Sequence, residues 1–260
     1  LQVHLVHLKD TLLDVALEAG NAILDIYSQE DFEEELKADN SPLTKADKIA
    51  NEIICSALAS LSDGYPIISE ENKQIPYEVR EKYTRYWLVD PLDGTKEFVK
   101  RNGEFTVNIA LIERNRPILG VVYAPALREM YWAIKNLGSF IVKENVESAM
   151  KVNEFKLSET GLRLVCSRSH LNDQTALFLE DFDKPITVSR GSSLKFLLLA
   201  NNLADLYPRL APTMEWDTAA AQIVLEEAGG MVVDFESKLP MTYNKENLLN
   251  PYFLATGKIV

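Results

Sequence analysis

Basic residues are in short supply: 27 Lys and Arg stand against 39 Asp and Glu, giving a formal net charge of -12 and a pI of about 4.8. That deficit excludes the extended basic surface that non-specific binding to a nucleic acid polymer requires. It leaves a small anionic substrate open, because bound metals and a few placed cations invert a local field. Cysteine is rarer still, with two residues, Cys55 and Cys166, and no metal-ligand spacing around them. They read as buried free thiols in a reducing compartment. No apolar run approaches the ~18 residues of a membrane span, so no integral membrane segment is expected. Leu1 to Leu8 lacks a basic stretch leading into an apolar core, which makes a cytoplasmic protein the expectation. Linkers rich in Gly, Ser or Pro, internal repeats and low-complexity segments are missing too, and 47% hydrophobic with 25% charged residues is an ordinary globular composition.

Periodicity supplies the elements. Apolar residues from Leu5 to Ile26 recur at three- and four-residue steps and predict an amphipathic helix over Leu5 to Tyr27, followed by a solvated acidic turn from Gln29 to Glu35. A second helix after Pro42 is expected to bury Ile49, Ile53, Ala57 and Leu61. Thr44 with Asp47 resembles a capping box at its start, using Asp where Glu or Gln is usual. Pro66 to Ser69 reads as a strand ending at Glu70, and Trp87 to Val89 as a buried strand stopped by Asp90-Pro91. Hairpins follow over Phe105 to Tyr123 and Met130 to Lys143. Residues 144 to 160 are polar and weakly patterned, and mark a boundary between an α+β unit, 1–155, and an α/β unit, 156–260. In the second, strands are expected at Arg163 to Cys166, Ile186 to Ser189, Ala204 to Tyr207 and Met231 to Val233, alternating with helices at Asp173 to Asp181, Leu194 to Ala200 and Asp217 to Glu227. This is an α/β layered fold class.

Chemistry concentrates in Tyr86 to Phe98. Asp90 and Asp93 hang from one strand end, Gly94 permits a tight path, and Thr95 supplies a hydroxyl where a helix can open towards an anion. With Glu70 and Asp217 they are the oxygen donors that hard cations such as Mg2+ prefer. Each has an ordinary reading as well: Asp-x-x-Asp as a surface turn, Asp47 and Asp217 as caps. An EF-hand is excluded because the one-three-five ligand spacing is missing.

Asp90-Pro91-Leu92-Asp93-Gly94-Thr95 and Glu215-Trp216-Asp217-Thr218-Ala219-Ala220-Ala221 together resemble the lithium-sensitive, Mg2+-dependent phosphomonoesterases of the inositol monophosphatase and fructose bisphosphatase superfamily. Lys37 to Asp47, Lys96-Glu97-Phe98, Gly191 to Phe196 and Asp205 to Arg209 are similar to its 3'(2'),5'-bisphosphate nucleotidase branch, whereas inositol monophosphatases usually carry Thr-Asn-Phe after Asp-Gly-Thr. The resemblance implies an αβαβα sandwich that hydrolyses the 3'-phosphate of 3'-phosphoadenosine 5'-phosphate to AMP and phosphate, with a place in sulfur metabolism. It implies two to three Mg2+ ions held by Glu70, Asp90, the Leu92 carbonyl, Asp93 and Asp217. Asp47 and Thr95 would orient and deprotonate the attacking water, with Glu70 assisting. Gly94, Thr95, His170, Ser192, Lys195, Arg209 and Asp217 would bind substrate, Lys195 and Arg209 meeting the phosphate that is not cleaved. Peripheral association with the cytoplasmic face of the inner membrane is a further implication, for which the sequence offers no basic amphipathic helix. An inositol or sugar monophosphatase, and a catalytically silent metal-dependent regulatory protein on the same fold, are the alternatives. Haloacid-dehalogenase phosphatases fit poorly, since their motif is Asp-x-Asp-Gly-Thr and here two residues separate Asp90 from Asp93.

Overall fold

The structure, a computed structural model, describes residues 2–29, 35–36, 42–166 and 172–260, with only the backbone of Glu35, Leu36 and Pro42. Helix α1 (Gln2–Tyr27) buries the expected stripe from Leu5 to Ile26. Most of the acidic turn predicted after it lies outside the described residues. Strands β1 (Glu35–Leu36) and β2 (Pro42–Leu43) form a short antiparallel pair. In helix α2 (Lys45–Ser60) the buried stripe is Ala46, Asp47, Ala50, Ile54 and Leu58. The predicted residues Ile49, Ile53, Ala57 and Leu61 flank it, partly buried. The larger side chains cover the shoulders of the contact, while alanines let the helix approach the sheet.

The chain continues through β3 (Ile67–Ser69), α3 (Tyr77–Arg80), β4 (Arg85–Asp93), α4 (Thr95–Val99), β5 (Thr106–Glu113), β6 (Arg116–Ala124), β7 (Glu129–Ile134), β8 (Gly138–Lys143) and β9 (Val146–Ala149). These seven strands form one sheet in sequence order, β3 parallel to β4 and every later pair antiparallel. Arg114 and Asn115 take positive φ, 47° and 65°, the pairing that a two-residue hairpin needs. β4 does not stop at Asp90-Pro91 but runs to Asp93. The register with β5 slips between Asp90 and Asp93, so Pro91 sits where its missing N–H interrupts an already irregular ladder. β9 occupies part of the segment predicted as weakly patterned. Its four side chains are all exposed, which removes the alternation by which a strand is recognised.

After β10 (Glu154–Phe155) come β11 (Arg163–Cys166), α5 (Asp173–Glu180), β12 (Ile186–Ser189), α6 (Leu194–Ala200), β13 (Leu206–Arg209), α7 (Ala219–Glu227), β14 (Met231–Asp234), β15 (Phe253–Thr256) and β16 (Lys258–Ile259). The second sheet has the order β12-β11-β13-β15-β14, and β10 pairs with β16. β13 lies two residues beyond its predicted span and includes Pro208. That is tolerated because β11 bonds it only at Leu206, leaving one side open from Tyr207 onward. The helix predicted from Asp217 begins at Ala219, after a 3-10 turn over Glu215–Asp217.

Alternation in β4 explains the layering. Trp87 and Val89 face α1 and α2, while Tyr86 and Leu88 face α6 and α7. Tyr207, Val232, Phe253 and Ala255 of the second sheet close the other side of that middle layer, and α5 packs Phe178 and Leu179 on the outer face with Leu164, Cys166 and Leu206. The result is the expected αβαβα sandwich.

Candidate active site

Parallel pairing of β3 with β4 sets Ser69 beside Val89, and the Glu70 amide donates to the Val89 carbonyl at 3.1 Å. Glu70 is thereby carried next to Asp90, which is 1% exposed. Asp217 arrives from the 3-10 turn ahead of α7, its Oδ2 accepting from the Met214 amide at 2.9 Å. One carboxylate oxygen from each of Glu70, Asp90 and Asp217 lies within 4.8 Å of the others. Burial drives the Asp90 carboxyl well above its usual range, and the charges of Glu70, Asp93, Asp217 and Asp47 push the same way. Asp217 is raised by burial and by Asp93, then Glu70, against the Met214 amide and Arg209. Such mutual repulsion is relieved by a divalent cation, and an all-oxygen donor set suits a hard one.

Asp93 stands outside that trio. Its Oδ2 accepts from Ser192 Oγ at 2.7 Å, the Ser193 amide at 2.6 Å and Ser193 Oγ at 2.8 Å. Gly94 then turns the chain at φ +90°, a left-handed conformation that favours glycine, and α4 opens at Thr95. The Leu92 amide donates to Asp90 Oδ1 at 3.1 Å, and the Leu92 carbonyl lies 3.3 Å from Thr95 Oγ1.

Asp47 makes contact both with the helix start and with Thr95. Its Oδ2 accepts from the Thr44 amide at 2.7 Å and from Thr44 Oγ1 at 2.6 Å, closing the capping box. Its Oδ1 lies 3.1 Å from Thr95 Oγ1. Cap and hydroxyl partner are two ends of one carboxylate.

A cavity of about 610 Å³ is lined by Asp93, Gly94 and Asp217, by the acids Glu97 and Glu104, and by the cations Arg190, Lys195 and Arg209. Lys195 donates to the Ser192 carbonyl at 2.8 Å and lies 5.9 Å from the Tyr207 ring. Burial pulls its ammonium down to about 8; Asp93, Glu97 and Asp217 raise it, and Arg209 lowers it. Arg209 ends β13, where its Nη2 donates to the Pro212 carbonyl at 3.0 Å and its buried Nε has no hydrogen-bond partner among the described residues. Ser192 lines the same cavity, and His170 lies outside the described residues. Sequence reasoning named Ser193 only within the Gly191-Ser192-Ser193 turn and did not single out Arg190, Lys100 and Phe253, which also line the cavity. Phe253 was out of reach because it comes from a strand whose place beside β13 no local pattern reveals.

Residues 5–257 match the Inositol monophosphatase family. The chain belongs to that family. It is 44% identical to the 3'(2'),5'-bisphosphate nucleotidase CysQ of Salmonella typhimurium, over 95% of this chain and 98% of that protein. It is 45% identical to the protein of the same name from Escherichia coli, over 94% and 97%. The crystal structure of CysQ from Bacteroides thetaiotaomicron, described as a bacterial member of the inositol monophosphatase family, superposes with a TM-score of 0.84 at 40% identity, covering 96% and 97% of the two chains. Metal dependence is typical of the inositol monophosphatase family, and the Glu70, Asp90 and Asp217 trio is a candidate metal centre. Among the described residues no helix is long and apolar enough to cross a membrane.

Proposed function

We propose that this chain is a Mg2+-dependent 3'(2'),5'-bisphosphate nucleotidase that hydrolyses 3'-phosphoadenosine 5'-phosphate with water to AMP and phosphate. The observation that carries the reading is near full-length likeness to two such nucleotidases, joined to a cavity that both carboxylates and cations line. We assign two to three Mg2+ ions to Glu70, Asp90, the Leu92 carbonyl, Asp93 and Asp217. Bound there, they supply a water of lowered pKa and offset charge on the phosphoryl oxygens.

The protein's own groups supply the rest. Asp47, an acceptor when ionised, accepts the hydrogen bond of the Thr95 hydroxyl, whose lone pairs are thereby turned to accept from the attacking water. Glu70 stands among the acids where a second proton acceptor is needed. Gly94 and Thr95 place backbone amides near the reacting phosphate. Lys195 and Arg209 hold the phosphate that is retained, and Ser192, His170 and Asp217 are further substrate-binding groups.

In this reading residues 1–155 form a unit carrying most metal ligands and the water-activating pair. Residues 156–260 form a second, supplying Asp217 and the substrate groups. The cytoplasmic placement belongs to the same proposal. Attachment to the inner membrane gains no support from α1, whose exposed face carries Asp10, Asp14, Glu18 and Asp25, the wrong sign for anionic headgroups.

Phosphate release from 3'-phosphoadenosine 5'-phosphate and from inositol 1-phosphate, each with Mg2+ and with chelator, tests the proposal. Faster, Mg2+-dependent turnover of the nucleotide is expected. Preference for the inositol ester would overturn it.

A further inference from the structure

Residues Gly191 to Ser193 form a loop bolted to the metal strand, with more bonds than substrate contact alone calls for. Gly191 lies so close to the first sheet's loops that a Cβ there would fall 2.6 Å from Glu97 Cγ and 2.9 Å from the Glu104 carbonyl oxygen. Its amide donates to Glu104 Oε2 at 2.8 Å. Ser192 is held at φ +54°. Ionised Asp93 is an acceptor only, so Ser192 Oγ gives its proton to Asp93, and Thr106 Oγ1, 2.5 Å away, gives its own to Ser192. Ser193, 2% exposed, meets the same Asp93 oxygen through its amide and its hydroxyl. Its Oγ also accepts from Asn108 Nδ2 at 2.9 Å and lies 2.8 Å from the Asp217 carbonyl.

Asn108 pairs across the ladder with Asp90. Ser193 therefore touches two of the positions assigned to metal, Asp93 and the Asp217 backbone, and the cross-strand partner of a third, Asp90. Every hydrogen bond found on Asp93 falls on Oδ2, which leaves Oδ1 as the oxygen available to a cation. We infer that Ser193 is a positioning residue for the metal centre: it fixes the Asp93 carboxylate so that Oδ1 is presented in one orientation, and ties that orientation to the loop bearing Lys195. The inference rests on the proposed role of Asp93 as a metal ligand. It does not depend on which phosphate ester is cleaved.

The test is Ser193→Ala with Mg2+ alone as the probe, its affinity measured by calorimetry and by the Mg2+-dependent rise in melting temperature. The expected result is Mg2+ binding weakened about ten-fold or more, in the range that outer partners of metal ligands command. In turnover assays excess Mg2+ should recover most of kcat, a rescue that general loss of structure would not show. Should Ser193→Ala fail to fold without metal, Ser193→Cys, which fills the same space with a weaker donor, is expected to weaken Mg2+ about three-fold. Mg2+ affinity within two-fold of the unaltered protein in the folded variant would overturn the inference. Failure of the unaltered protein to hydrolyse the nucleotide would overturn the substrate assignment and leave this inference standing.

Discussion

The acidic centre and the cations of the site are built differently, and Glu70 and Asp90 are not among the residues that line the cavity. In the acidic centre Glu70 and Asp90 hang from neighbouring strands of a sheet covered on both faces, and the register of β3 on β4 fixes their separation. Among the cations Lys195 stands one residue into a seven-residue helix, Arg209 ends a strand with an open side, and Arg190 sits on a loop. Two of the three carboxylates of the candidate metal centre are placed by the backbone ladder, and the third, Asp217, by a 3-10 turn. Groups that meet a flexible ligand sit on long side chains that adjust. Substitution in the acidic centre should therefore change the rate of the reaction, and substitution among the cations should change the affinity for substrate.

The largest break is expected from Asp90→Asn. Loss of one buried carboxylate from the trio should lower kcat at least about 1,000-fold, more than deletion of a single transition-state hydrogen bond usually costs. Phosphate release measures it, with circular dichroism showing the fold retained. Asp47→Asn comes next, with kcat reduced about 100-fold or more and stability by about 1 kcal/mol, because one change disturbs both the water-orienting pair and the α2 cap. Thr95→Ala sharpens the point: it should share the loss in kcat while chemical denaturation shows α2 unaffected.

Among the cations, Lys195→Met is expected to raise KM for the bisphosphate about 10-fold or more while kcat changes little, the signature of a group that holds substrate in ground state and transition state alike. The smallest effect is a pH dependence. Lys195 is charged below about 8 and loses its proton as pH rises through that value, so KM should climb above it by up to about ten-fold per unit. The Lys195→Met profile should be flat there. A rise that persists in the variant would assign the titration to another group.

Much of the acidic centre was legible because its information is local. The run from Asp90 to Thr95 carries two carboxylates, a left-handed glycine and a helix start within one turn of chain. Its partners were less legible on physical grounds alone. Glu70 follows a three-residue strand whose parallel pairing no periodicity announces, and Asp217, though named as an oxygen donor, lies 124 residues beyond Asp93 with nothing local to place it there. The strand alternation and α1 emerged directly from spacing. What escaped was structure set by tertiary neighbours: β9 with no buried side, β13 shifted past its proline, and β15, which seats Phe253 in the cavity. Asp93 shows the opposite case. Its position was plain in the sequence, but its bonds to Ser192 and Ser193, about a hundred residues on, became visible only in the fold.

The divided duty of Asp47 also bears on how this protein can change. Firming up a helix start is a common route to heat resistance. In the proposed reaction one oxygen of Asp47 serves the helix and the other the Thr95 hydroxyl, so a selection for thermal tolerance and a selection for turnover would pull on one side chain. At the start of α2, stability and turnover are then no longer separable.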